Sequence, residues 1–140
     1  MAGYSGTPLP QKLGIKAGLS VVLINAPPNY RRLLGTLPDN IMFSGRLRRG
    51  SGFVHVFTRK RGELEKKLSV LREKIADIGT VWVSWPKKSS GVPTDVTEDV
   101  IRAVALPLGF VDIKVCAIDE TWSGLKLMVR RENRKIPVKE

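Results

Sequence analysis

Cysteine and histidine each occur once in these 140 residues, as Cys116 and His55. A single cysteine excludes an internal disulfide, and the two together are too few for a Cys/His metal cage within one chain. No metal is expected. Aromatic side chains make up only 6% of the sequence, and basic stretches interleaved with exposed aromatics, the usual base-stacking platform, are missing. No apolar run approaches the roughly 18 residues that span a bilayer, and the N-terminus lacks the charged-then-apolar layout of a signal peptide. The expectation is a cytoplasmic protein with no membrane partner. Acid is also scarce, with 13 Asp and Glu against 24 Lys and Arg, a formal charge of +11.

What is present fits one domain. A chain of this length with 42% hydrophobic residues can bury a single core. The charge falls in blocks. Residues 31–74 hold 12 basic and 4 acidic side chains (+8), residues 126–140 hold 6 and 2 (+4), and residues 87–125 hold 4 and 6 (−2). Net charge speaks first for solubility and non-specific polyanion contact.

Along the chain, residues 1–10 read as an extended lead-in, 11–131 as the domain and 132–140 as a charged tail. Residues 11–18 read as a helical turn closed by Gly18. The unbroken apolar run in 20–26 reads as a strand buried on both faces, and Pro27 and Pro28 end it. A short helix is expected at 29–35, a strand at 40–44 and a basic loop at 45–52. Residues 53–58 alternate aromatic, β-branched and histidine residues as a strand does. Leu64, Leu68, Leu71, Ile75 and Ile78 then fall on one stripe of a helix closed by Gly79. A strand at 80–85, a polar loop at 86–94 and a helix with Asp95 and Glu98 at capping-box spacing follow. Val96, Val100 and Val104 form that helix's apolar stripe. Two strands, 111–118 and 125–131, are joined closely enough for an antiparallel hairpin. Alternating strands and helices give a three-layer, Rossmann-like α/β sandwich, mainly parallel, with the hairpin at its C-terminal end.

Two resemblances follow. The run Leu13-Gly14-Ile15-Lys16-Ala17-Gly18 into Val21-Val22-Leu23-Ile24, with Trp85-Pro86, Gly109-Phe110 and the terminal hairpin, resembles class I methyltransferases in layout. That likeness implies an acidic, glycine-rich turn after the first strand, holding S-adenosylmethionine. Here the turn reads Asn25-Ala26-Pro27-Pro28-Asn29-Tyr30, without glycine or acid, and too few residues separate the first strand from Phe53 for two full crossover units. A shortened relative without the cofactor is the expectation. The chain also resembles, over nearly its whole length, a bacterial family of small proteins defined by a domain of unknown function. The likeness runs from Met1-Ala2-Gly3-Tyr4-Ser5-Gly6-Thr7-Pro8-Leu9 through Trp85-Pro86-Lys87-Lys88, Thr94-Asp95 and Thr97-Glu98-Asp99-Val100 to Asp119-Glu120-Thr121-Trp122-Ser123-Gly124-Leu125. It implies no activity.

In open α/β sheets ligands bind beyond the carboxyl ends of the strands. Lys87, Lys88, Ser89, Ser90 and Thr94 follow one strand, Asp119, Glu120 and Trp122 follow another, and the two sets are expected to converge on one crevice. The reading is a non-catalytic binding or scaffold protein taking an anionic small molecule or an acidic protein partner there. A degenerate or atypical methyltransferase-like enzyme is the alternative. A non-specific nucleic-acid binder is the third reading, acting through Arg46, Arg48, Arg49, Arg59, Lys60 and Arg61. His55 and Cys116, with Asp119 as orienter, would suit a nucleophile and base. Inside predicted central strands they read instead as packing residues.

Overall fold

The structure, a computed structural model, describes residues 6–134. Leu9–Leu13 forms α1, Ser20–Ile24 β1, Tyr30–Leu34 α2, Met42–Ser44 β2, Ser51–Phe57 β3 and Arg61–Lys74 α3. Ile75–Pro86 forms β4, Glu98–Ala105 α4, Phe110–Ala117 β5 and Trp122–Val129 β6. The six strands make one sheet in the order β2-β1-β3-β4-β6-β5. β1 is parallel to β2 and β3, and β3 to β4; β6 is antiparallel to both β4 and β5. The fold is a Rossmann-like three-layer sandwich with an antiparallel C-terminal pair. No helix among the described residues is long and apolar enough to cross a membrane.

Two apolar clusters flank the sheet. Leu64, Leu68 and Leu71 of α3 and Ile101, Val104 and Ala105 of α4 pack against Val54, Val56, Val81 and Val83 on one face. Leu13 of α1 and Tyr30 and Leu34 of α2 pack with Phe53, Phe57 and Trp82 on the other. The alternation along β3 and β4 sends successive side chains to opposite layers, so the central strands read as continuous apolar runs.

Several boundaries differ from the sequence reading for identifiable reasons. α3 stops at Lys74, not at Gly79, because Ile75 turns extended (φ −64°, ψ 142°) and pairs with Ser51 at the start of β4. Ile75 is therefore buried as a strand residue, and Ile78 stands 75% exposed in the irregular stretch before Thr80 meets Phe53. The capping box of α4 is not used. Thr97 is the N-cap, its Oγ1 accepting from Val100 N at 3.2 Å, while Asp95 caps α3, its Oδ1 accepting from Arg61 N at 2.7 Å. Of the expected stripe Val96 and Val104 are buried and Val100 only partly, and Ile101 and Ala105, both fully buried, complete the packed face of α4.

The lead-in is also shorter than residues 1–10. α1 begins at Leu9 with Pro10 buried, and Gly14, not Gly18, takes the left-handed position that ends it (φ 84°). Residues 1–5 lie outside the described part. At the other end, Arg131–Asn133 makes a 3-10 turn held to the domain by Arg72, whose guanidinium donates to Leu108 O at 2.9 Å and Asn133 O at 3.3 Å. The start of the charged tail thus belongs to the domain, and residues 135–140 lie outside the described part.

Candidate functional site

The chain leaves β1 towards β2 on one side and returns to β3 on the other, so the winding reverses between β1 and β3. At such a point the two connections diverge and leave a crevice at the carboxyl ends of the strands. Asn25, the first residue after β1, takes a left-handed conformation (φ 59°), which asparagine tolerates better than most residues. The turn behind it is anchored rather than flexible: Tyr30 N donates to Pro27 O at 3.0 Å, and the Tyr30 ring is buried between Phe43, His55 and Phe57.

Across the crevice, Thr58 follows β3. Its hydroxyl lies 3.1 Å from Glu63 Oε1, and Asn25 Nδ2 donates to the same oxygen at 3.4 Å. Glu63 sits in the first turn of α3, where the helix dipole favours a carboxylate. The crevice therefore contains an acid that arrives from α3 instead of from the turn after β1. Sequence reasoning missed Glu63, because its signal is long-range: 38 residues separate it from Asn25. Beside it lies a depression of about 800 Å³ lined by Lys60, Gly62, Glu63, Lys66, Lys67, Val70 and Asp95.

Directly under the crevice runs a buried polar line. The Tyr30 hydroxyl is 2.8 Å from His55 Nδ1, and His55 Nε2 is 2.7 Å from Ser84 Oγ. Burial pushes the imidazole down to about 3 and the phenol above its usual range. His55 is thus a neutral core residue linking α2, β3 and β4. Cys116 lies on β5, an edge strand and not a central one, half-buried, with burial raising its thiol. Their strands are separated by β4 and β6, and the hydroxyls of Tyr30 and Ser84 occupy both nitrogens of His55.

The two loops expected to converge do meet at one end of the sheet: Pro86 pairs with Trp122, and Lys87 N donates to Thr121 O at 2.7 Å. β6, however, lies between β4 and β5, so the joint follows a strand one place further out than adjacency would put it. Several of the named groups are occupied by their own turns. Ser90 Oγ donates to Lys87 O at 2.6 Å, Thr94 Oγ1 to Arg59 O at 2.7 Å, and Asp119 Oδ1 accepts from the N–H groups of Thr121 and Trp122. Trp122 packs edge-on against Phe57 at 5.0 Å, covering the core. Lys88, Ser89 and Glu120 are exposed, with Lys87 half-buried beside them. The six basic residues proposed for polyanions are divided. Arg48 and Arg49 precede β3 and Arg59, Lys60 and Arg61 follow it, a strand's length of roughly 20 Å apart. Arg46 sits just past the end of β2. Arg49 donates to Glu73 O, and Arg61 pairs with Glu65. Among the described residues no group of three or more His, Cys, Asp or Glu is placed to hold a metal.

The strand order, the reversal at β1 and β3 and the antiparallel terminal pair define a Rossmann-like α/β fold. Among solved structures the fold is similar to that of a Sulfolobus solfataricus protein described as a type 11 methyltransferase, with a TM-score of 0.61 and 13% identity over 94% of this chain and 95% of that one. It is also similar to DhpI in its complex with SAH (TM-score 0.57, 12% identity, 89% and 83% covered). Fibrillarin of Aeropyrum pernix with natively bound S-adenosyl-L-methionine gives 0.55 and 12% identity over 90% and 70%. At such identities the likeness concerns the fold. No sequence-family profile and no curated protein matches the chain.

Proposed function

We propose that the protein is an atypical methyltransferase-like enzyme that binds S-adenosylmethionine in the crevice between the ends of β1 and β3. The observation that carries this reading is Glu63, an exposed carboxylate steadied by Asn25 and Thr58 at the reversal point. The expectation of no cofactor rested on a turn without glycine or acid, and Glu63 supplies the acid from another element. The donor set fits the ligand's chemistry. Glu63 would take ribose hydroxyls or the α-ammonium, and Lys60, exposed at the mouth, the α-carboxylate. Pro27 and Pro28 offer no N–H, so the ligand would be held by side chains more than by backbone. When bound, S-adenosylmethionine supplies an electrophilic methyl group on a sulfonium. Lys87, Lys88, Ser89 and Glu120 would then border the acceptor, at the same end of the sheet.

Calorimetric titration with S-adenosylmethionine and S-adenosylhomocysteine tests this. Saturable binding is expected, weakened about tenfold by Glu63→Gln, the loss of roughly one charge-assisted hydrogen bond, and unchanged by Lys87→Ala with Lys88→Ala. Absence of saturation at millimolar ligand would overturn the proposal and return the crevice to the non-catalytic binding reading.

A further inference from the structure

On the sheet face that carries α1 and α2, the strand register places Trp82, Lys126 and Lys114 in one row across β4, β6 and β5. Trp82 is covered, its Nε1 donating to Leu13 O of α1 at 2.9 Å. The cover ends there: Lys126 is half-buried and Lys114 exposed. Lys12 lies next to Leu13 in α1, and exposed Lys16 follows shortly after. Lys114 and Lys126 stand directly opposite each other in an antiparallel pair, an arrangement in which like charges repel. Asp112, the acid of β5, is on the far side of the register shift and pairs with Arg102 of α4 at 2.9 Å. The ion pairs of α3 and α4 involve none of these lysines. Burial lowers the Lys126 ammonium, and the charges acting on it, those of Lys114 and Lys16, push it the same way. Lys12 and Lys114 likewise both act on Cys116.

Two strands, α1 and the turn that follows it thus bring four cations near one another on a face at some cost from mutual repulsion. We propose that this face, formed by Lys12, Lys16, Lys114 and Lys126, binds the phosphate backbone of a polynucleotide. A repeating line of phosphates matches charges spread along a surface, whereas a single small anion would need them to converge. Of the apolar neighbours, Val111 and Met128 are half-buried and Ile113 and Val115, either side of Lys114, are exposed, too few to form the broad apolar face that inserts into lipid. Binding here is independent of the crevice reading. It replaces Arg46, Arg48 and Arg49 as the electrostatic footprint, because those side chains sit on a loop and Arg49 already serves Glu73 O.

Fluorescence anisotropy with a labelled oligo(U) RNA, titrated at several salt concentrations, tests the proposal. Lys114→Gln with Lys126→Gln should lower affinity about tenfold and flatten the salt slope by about 1.4, the value for two single-strand phosphate contacts. Lys114→Arg with Lys126→Arg should restore both, and Arg46→Ala with Arg48→Ala and Arg49→Ala should leave both nearly unchanged. Circular dichroism of each variant reports folding. Unchanged binding in the glutamine pair, loss confined to the arginine triple, or retention on phosphatidylserine vesicles without RNA binding would each overturn the assignment.

Discussion

His55 shows how a residue type suggestive of catalysis becomes a structural one. Its two nitrogens lie between the Tyr30 and Ser84 hydroxyls, and the ring stacks on Phe57 at 4.4 Å, so no valence faces solvent. The sequence identified His55 as a core histidine from its place in an apolar strand. Its partners, 25 and 29 residues away, were not legible. Because burial holds the folded-state pKa near about 3, well below the ordinary 6.5, the unfolded chain binds the extra proton as pH falls between those values. The stability is therefore fully present above 6.5 and declines by up to about 1.4 kcal/mol per pH unit below it. Urea denaturation between pH 7 and 5 should show this decline, and His55→Gln should flatten it. An equal slope in the variant would mean that other groups carry it.

At the scale of elements, the loop from β4 to α4 is a fastener. Asp95 caps α3 through Arg61 N, Asp95 N donates to Arg59 O at 3.2 Å, and Thr94 bonds the same carbonyl, so this loop is stitched to the turn after β3. Thr97 then caps α4. Asp95→Ala and Thr97→Ala should each cost about 1 kcal/mol, read as a shift of the urea midpoint at constant slope. A neutral Asp95→Ala would show that the α3 cap contributes nothing. The sequence had assigned Asp95 to α4, where its spacing to Glu98 fits a capping box. The competing N–H of Arg61 won because the loop folds back, and nothing local records that. The same lesson applies to Ile75 and Ile78, whose helical spacing yields to the ladder bond with Ser51. At α4 the acids are retained differently: Arg102 gathers Glu98, Asp99 and Asp112, and its hydrogen bond holds the Asp112 carboxyl below its usual range.

At the scale of the molecule, the formal +11 is a self-repulsion that salt screens. Raising sodium chloride from low to physiological ionic strength should therefore raise the denaturation midpoint. A midpoint independent of salt would show that the charges are too dispersed to matter. RNA binding and stability should respond to salt in opposite directions, which separates the two effects in one buffer series.

Composition, the buried-strand runs at 20–26 and 80–85 and the terminal hairpin determined the Rossmann-like class, because they encode burial periodicity, a local property. Glu63 beside Asn25, the line from Tyr30 to Ser84 and the row of Lys126 and Lys114 were decided only by the tertiary structure. Each depends on which strands become neighbours. The order β2-β1-β3-β4-β6-β5 is set by how the helices pack on the two faces, and sequence spacing carries no record of that packing.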